Sequence, residues 1–140
     1  MIIVVDVNVV ISALIRDSIT REIISKSRQD FCFPEISLHK IRKYKNMILE
    51  KSGLTEAEFQ VIIGTLFQFI RLIPTEDLMP HWEKAKKIME HIDSEDVPFI
   101  AAALSQANSV IWSEDTHFDE QDKVSTLKTT DITNMFHEEE

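Results

Sequence analysis

Glycine is almost absent from this sequence: 140 residues contain two, Gly53 and Gly64. Phosphate-binding loops and dinucleotide fingerprints need several glycines close together, so both are excluded. Cysteine is scarcer still. Cys32 stands alone, cannot form an internal disulfide, and lies between Phe31 and Phe33. A buried, inert thiol in a reducing, intracellular compartment is the expectation. No apolar run approaches the roughly 20 residues that span a bilayer. The apolar N-terminus lacks a basic leader and meets Asp6 too early for a signal peptide, so a cytoplasmic protein with no membrane partner is expected. Positive charge is also in deficit, the formal net charge being −9. That argues against nonspecific coating of nucleic acid, yet it suits an acidic pocket that holds cations while basic residues group elsewhere.

What is present is globular in character, with 44% hydrophobic and 28% charged residues. The length suits one domain, assigned to residues 1–136, with an acidic tail over 137–140. The first fifteen residues organise the rest. Ile2 to Val5 is an unbroken β-branched run, as in a parallel strand buried on both faces. Asp6 ends it. A carboxylate there is expensive to bury without a cation, a metal or N–H donors. Val9, Val10, Ala13 and Leu14 then keep helical spacing. In an open α/β sheet, ligands bind at the carboxyl ends of strands where strand order reverses, and Asp6 falls at such an end.

Further along, Ser18 or Thr20 is expected to cap a second helix with Glu22 in its first turn. Phe31 to Phe33 reads as a strand stopped by Pro34. One helix is predicted over about 35–51, with Leu38, Ile41, Tyr44 and Ile48 inward and Lys40, Arg42, Lys43 and Lys45 outward. Gly53 ends it, and Thr55 with Glu58 forms a capping box for a helix whose apolar face carries Phe59, Ile62, Ile63, Leu66 and Phe67. Residues 69–73 read as a third strand, and Leu78, Trp82, Ala85 and Met89 as a helix. Ser94, Glu95 and Asp96 open another helix, with Pro98 tolerated in its first turn. Residues 110–112 form a fourth strand, 124–127 an edge strand and 131–136 a short helix. Strands alternating with helices call for a three-layer α/β/α architecture around a parallel sheet of four to five strands.

Three carboxylates occupy comparable positions. Asp6 follows the first strand, Asp115 follows the fourth, and Asp96 opens the helix between them. If those strands are neighbours, the acids meet in one crevice. Like charges so close raise each other's pKa unless a divalent cation is present, and oxygen-only ligands favour Mg2+ or Mn2+. Such a site suits phosphodiester hydrolysis. The five histidines show no ligand spacing, so no zinc site is expected.

The turn at Asp6, Val7 and Asn8, the run from Asp96 to Leu104, and the stretch from Ile111 to Asp115 together resemble the PIN domain family. Order and spacing carry the resemblance, from Ile2 to about Asp131. It implies metal-dependent ribonuclease activity acting on RNA, often as a toxin paired with a small antitoxin protein. It implies that Asp6, Asp96 and Asp115 are metal-binding, catalytic acids, with Asp119 an additional acid and Asn8, Ser12 and Ser113 polar supports. Weaker contributions to RNA binding fall to Arg42, Lys43 and Lys45, and a homodimer is expected. One position departs from the family: Lys40 stands where a glutamate is usual, and Glu35, on another helical face, is a poor substitute. A lysine there acts as a built-in cation competing with metal, or is solvated on the helix face.

Alternatives from other classes stay open. A catalytically silent PIN-like module that binds RNA or protein is favoured by Lys40. A phospho-acceptor receiver wants an adjacent acidic pair and a late strand-end lysine, which this sequence meets poorly. An aspartyl phosphatase would need a second aspartate where Asn8 stands. Singly, each acid also has an ordinary reading as a turn or cap residue, and the basic stripe as a solvated helix face.

Overall fold

The computed structural model describes residues 1–15 and 19–137. Its strands are β1 (Ile2–Val5), β2 (Asp30–Pro34), β3 (Ile70–Ile73), β4 (Ser109–Trp112) and β5 (Thr126–Leu127). They form one parallel sheet in the order β3-β2-β1-β4-β5. β1 is central, which explains its composition: Ile3, Val4 and Val5 are completely buried, as a strand covered on both faces must be. The order reverses between β1 and β4, whose register sets Val5 opposite Trp112. The residues immediately after both strands therefore share one crevice.

Eight helices among the described residues cover the sheet: α1 (Val7–Ile15), α2 (Ile19–Lys26), α3 (Leu38–Lys43), α4 (Lys45–Ser52), α5 (Glu56–Phe69), α6 (Thr75–Met89), α7 (Val97–Ser105) and α8 (Thr129–His137). α7 lies on β1, β2 and β4, and α6 packs along it. Its buried alanines, Ala101 to Ala103, permit that close approach. α1 packs with α2, α4 and α5, making the other helical layer. Trp112 closes the core above α8, donating its indole N–H to the Thr129 hydroxyl at 3.0 Å. The architecture is the expected three-layer α/β/α.

Local signals mostly operate as expected. Thr55 and Glu58 form the reciprocal capping box of α5, and Gly53 ends α4 at φ 72°, in the left-handed region that glycine tolerates. Cys32 is buried with its thiol pushed up to about 12, first by burial. Some expectations are corrected. The single helix over 35–51 is three pieces: a 3-10 turn (Glu35–Ser37), α3 and α4, with Tyr44 leaving helical geometry at ψ 8°. Tyr44 is exposed rather than inward, and the Lys43 ammonium lies over its ring. Thr20 lies inside α2, buried, and caps nothing; Ser18 falls outside the described residues. α8 runs from Thr129 to His137, and residues 138–140 lie outside the described residues. No described helix is long and apolar enough to cross a membrane.

Candidate metal centre

Asp6 is the single residue between β1 and α1. Its N–H donates to the Trp112 carbonyl at 3.0 Å, prolonging the sheet, while its own carbonyl accepts from Val9 and Val10 to start α1 at once. This abrupt turn drives the side chain inward, where it is 1% exposed. One carboxylate oxygen accepts from the Val7 N–H at 2.8 Å and the other from the Ser113 hydroxyl at 2.7 Å. The same hydroxyl accepts from the Asp115 N–H at 2.9 Å. One buried serine thus ties the ends of β1 and β4 together.

Asp96 ends a 3-10 turn (Ser94–Asp96) and precedes α7, the position of an ordinary helix cap. Its side chain caps nothing. The residue is 7% exposed, and Oδ2 is buried with no hydrogen-bond partner. Asp93, which opens the turn, does cap: its Oδ1 accepts from the Glu95 N–H at 3.0 Å. Asp115 likewise starts a 3-10 turn (Thr116–Glu120), accepting from the His117 N–H at 2.9 Å.

These acids feel one another. Asp96 is raised to about 7, first by burial and then by the charges of Asp6, Asp93 and Asp115. Asp6 is raised by burial, against the lowering effect of its bonds from Ser113 and Val7, with Asp115 raising it further. Desolvation and like charge are the two conditions that a bound cation relieves.

Two basic side chains act on these carboxylates. Lys40, on α3, acts electrostatically on both Asp6 and Asp96, lowering each. It is half-buried. Its ammonium donates to the Glu95 carbonyl at 2.7 Å and lies 5.5 Å from the centroid of the Phe99 ring. Among the described residues it forms no ion pair with an acid; it grips the backbone of the turn that carries Asp96. The other is His117, which the sequence reading set aside. Its Nδ1 lies 3.2 Å from Asp93, 3.3 Å from Asp115 and 3.6 Å from Asp96. These acids, Asp115 foremost, raise its pKa. Histidine spacing does not reveal it, because its companions are carboxylates, two of them from the distant turn before α7. The available signal was the Asp115, Thr116, His117 spacing, which favours an aspartate-initiated turn.

The remaining site residues are less engaged. Asn8 and Ser12 are exposed on α1, and no described hydrogen bond joins either to the acids. Asp119 pairs with Lys128, 3.3 Å from its ammonium. Lys128 also donates to the Asp115 carbonyl at 3.4 Å. Arg42 and Lys43 are exposed, whereas Lys45 is ion-paired with Glu56.

The residues present fit a divalent cation. Crowded carboxylates meet at the switch point, and one buried oxygen lacks any partner. In an open α/β sheet the carboxyl ends of the strands where the order reverses form the ligand crevice, and Asp6 and Asp115 follow the two strands there. The chain matches the family model for the PIN domain over residues 4–135, and it belongs to that family. No curated protein matches it. PIN domains are generally nucleases that use divalent metals, and an acidic group able to hold one is present here.

Proposed function

We propose that this chain is a metal-dependent endoribonuclease that hydrolyses RNA phosphodiesters, with Mg2+ or Mn2+ held by Asp6, Asp96 and Asp115. What supports the reading is that Asp6 and Asp115, at the ends of the paired strands β1 and β4, both raise the pKa of the buried Asp96, whose Oδ2 has no hydrogen-bond partner. When bound, the ion polarises the phosphate and makes water a competent nucleophile at neutral pH. The chain's own residues do the positioning. Ser113 fixes one oxygen of Asp6 and the backbone of Asp115 through a single hydroxyl. The Val7 N–H fixes the other oxygen of Asp6. Lys40 holds the Asp96 turn through Glu95. Arg42 and Lys43 offer exposed positive charge to an RNA backbone. A toxin paired with a small antitoxin, a cytoplasmic setting and a homodimer belong to the same proposal; exposed Val61 and Phe69 on α5 suit the last.

Digestion of single-stranded RNA with Mn2+, followed by chelation, tests it. Cleavage that starts with the metal and stops with the chelator is expected; cleavage indifferent to chelator refutes it.

A second reading, a silent PIN-like module, is favoured by one observation: the Lys40 ammonium already offsets the charges of Asp6 and Asp96. Lys40→Glu removes that charge and adds a carboxylate, and is expected to tighten Mn2+ binding by about tenfold or more, read by calorimetry. Unchanged affinity removes lysine as a competitor for metal.

A further inference from the structure

α3 serves two different surfaces. On one side Lys40 reaches the turn before α7 through the Glu95 carbonyl. Arg42, two residues on and roughly opposite around the helix, borders a groove between α3, α4 and α5 with a volume of about 490 Å3. Ile41, Phe59, Ile63 and Phe67 make its apolar walls, and the exposed Arg42 and Gln60 stand at its rim. Lys45, also in the lining, is ion-paired with Glu56 and lies 6.0 Å from the centroid of the Phe59 ring. The Phe67 ring packs edge-on against Phe33 at 5.8 Å, and Phe33 packs the same way against Phe99 at 5.6 Å. Phe99 is the ring beside the Lys40 ammonium. Two rings therefore separate the groove wall from the acid side of α3.

The chemistry of the groove selects among occupants. Lys40, Arg42, Lys43 and Lys45 fall within six positions, and no acid occurs between Glu35 and Glu50, in a chain of net charge −9. An anion is the complementary ligand. Among the described residues Arg42 has no ion pair and Gln60 no hydrogen bond. An apolar helix seated here would cover both side chains without pairing either. A nucleotide of an unpaired strand meets all three needs. It brings flat apolar faces to the walls, a hydrogen-bonding edge to the amide and a phosphate to the guanidinium. A glutamine amide pairs bidentately with N6 and N7 of adenine.

We propose that the groove between α3 and α5 is a subsite for an adenine base of single-stranded RNA, beside the phosphate held at the acid rim. Gln60 reads the base edge, Arg42 takes the phosphate, and Ile63 and Phe67 bound the ring. A strand that crosses α3 engages the subsite and the acids together. The subsite rests on the proposed RNA substrate and gives it a sequence preference that metal chemistry does not supply.

The full-length chain, with chelator present so that nothing is cleaved, is titrated against fluorescein-labelled oligoadenylate, oligouridylate and oligocytidylate of equal length, read by anisotropy. Oligoadenylate is expected to bind at least about fivefold more tightly, the lower end of what one bidentate amide–adenine pair gives. Gln60→Leu is expected to bring the three oligomers to a common affinity. Arg42→Ala is expected to weaken all three alike and to lower the slope of log affinity against log salt by about 0.7. Both positions are exposed, so neither substitution disturbs the core. Equal binding of the three oligomers by wild type, or an adenine preference that survives Gln60→Leu, overturns the proposal. So does a dimer lost in Gln60→Leu with every RNA affinity unchanged, which would give the groove to a second copy of the chain. Adenine-preferring binding without Mn2+-dependent cleavage sinks the nuclease reading alone, whereas cleavage without any base preference in binding sinks this subsite alone.

Discussion

Asp96→Asn is expected to make the metal-free chain more stable at pH 8, by up to about 4 kcal/mol, and to leave it nearly unchanged at pH 4. The unfolded carboxyl ionises near 3.8, whereas in the folded chain it holds its proton until about 7. Between those values the folded state binds more protons than the unfolded one, so stability falls as pH rises. The loss is complete above pH 7, and the interval corresponds to about 4 kcal/mol at roughly 1.4 kcal/mol per pH unit. Asparagine carries no charge and escapes this penalty. Because Oδ2 has no partner, the substitution also breaks no hydrogen bond at that atom. Urea unfolding at the two pH values, with chelator present, reads the difference. A variant no more stable than wild type at pH 8 would mean that the buried charge is already compensated. Adding Mn2+ should stabilise wild type at pH 8 and do little for the variant, since an ion that binds only the folded state stabilises it by mass action.

Asp6→Asn is expected to lower metal-dependent RNA cleavage by at least about 100-fold while leaving the chain folded. Loss of an outer-shell partner alone typically weakens metal sites by about 10–100-fold, and a direct ligand should exceed that. The fold survives because an amide reproduces most of the local bonding: its oxygen accepts from the Val7 N–H, and its amino group can donate to the Ser113 oxygen. Asp6→Ala is the instructive contrast. It strands a backbone N–H and a buried hydroxyl, a defect worth about 1–3 kcal/mol for each group left unsatisfied. Loss of cleavage with retained stability in the asparagine variant separates metal binding from folding. Undiminished cleavage would remove Asp6 from the reaction.

Much of this arrangement was legible before any coordinates. The run from Ile2 to Val5 suits a strand covered on both faces, and an aspartate closing it falls at the sheet's carboxyl edge. That Asp96 and Asp115 join it depends on β1 lying beside β4, which hydrophobic patterning suggests but hydrogen-bond register decides. Ser113, expected as a polar support, bonds to Asp6 and Asp115. Asn8 and Ser12 were foreseen in the same role, yet they face solvent. The spacing of α1 identified its buried stripe but did not say which polar residue turns toward the rim.

Other features were hidden for definable reasons. The sequence leaves Lys40 either a cation beside the acids or a solvated face residue, and in the fold it lowers the pKa of both Asp6 and Asp96. Its ammonium instead finds the Glu95 carbonyl, a backbone partner that side-chain pattern reading cannot anticipate. Tyr44 holds an inward position in a helix of 3.6-residue period, but the backbone breaks there and the ring turns out. His117 was judged against spacings in which histidines find each other along one helix. Two of its partners, Asp93 and Asp96, come from the turn before α7, so only tertiary structure reveals them; the third, Asp115, is its near neighbour in sequence.

The most direct test of the shared cation site is a Mn2+ titration, followed by electron paramagnetic resonance, of wild type, Asp6→Asn, Asp96→Asn and Asp115→Asn. The account predicts one site whose affinity falls by more than about tenfold in each variant. Wild-type affinity in any two of the three would contradict it, because acids that act on one ion cannot be removed without consequence.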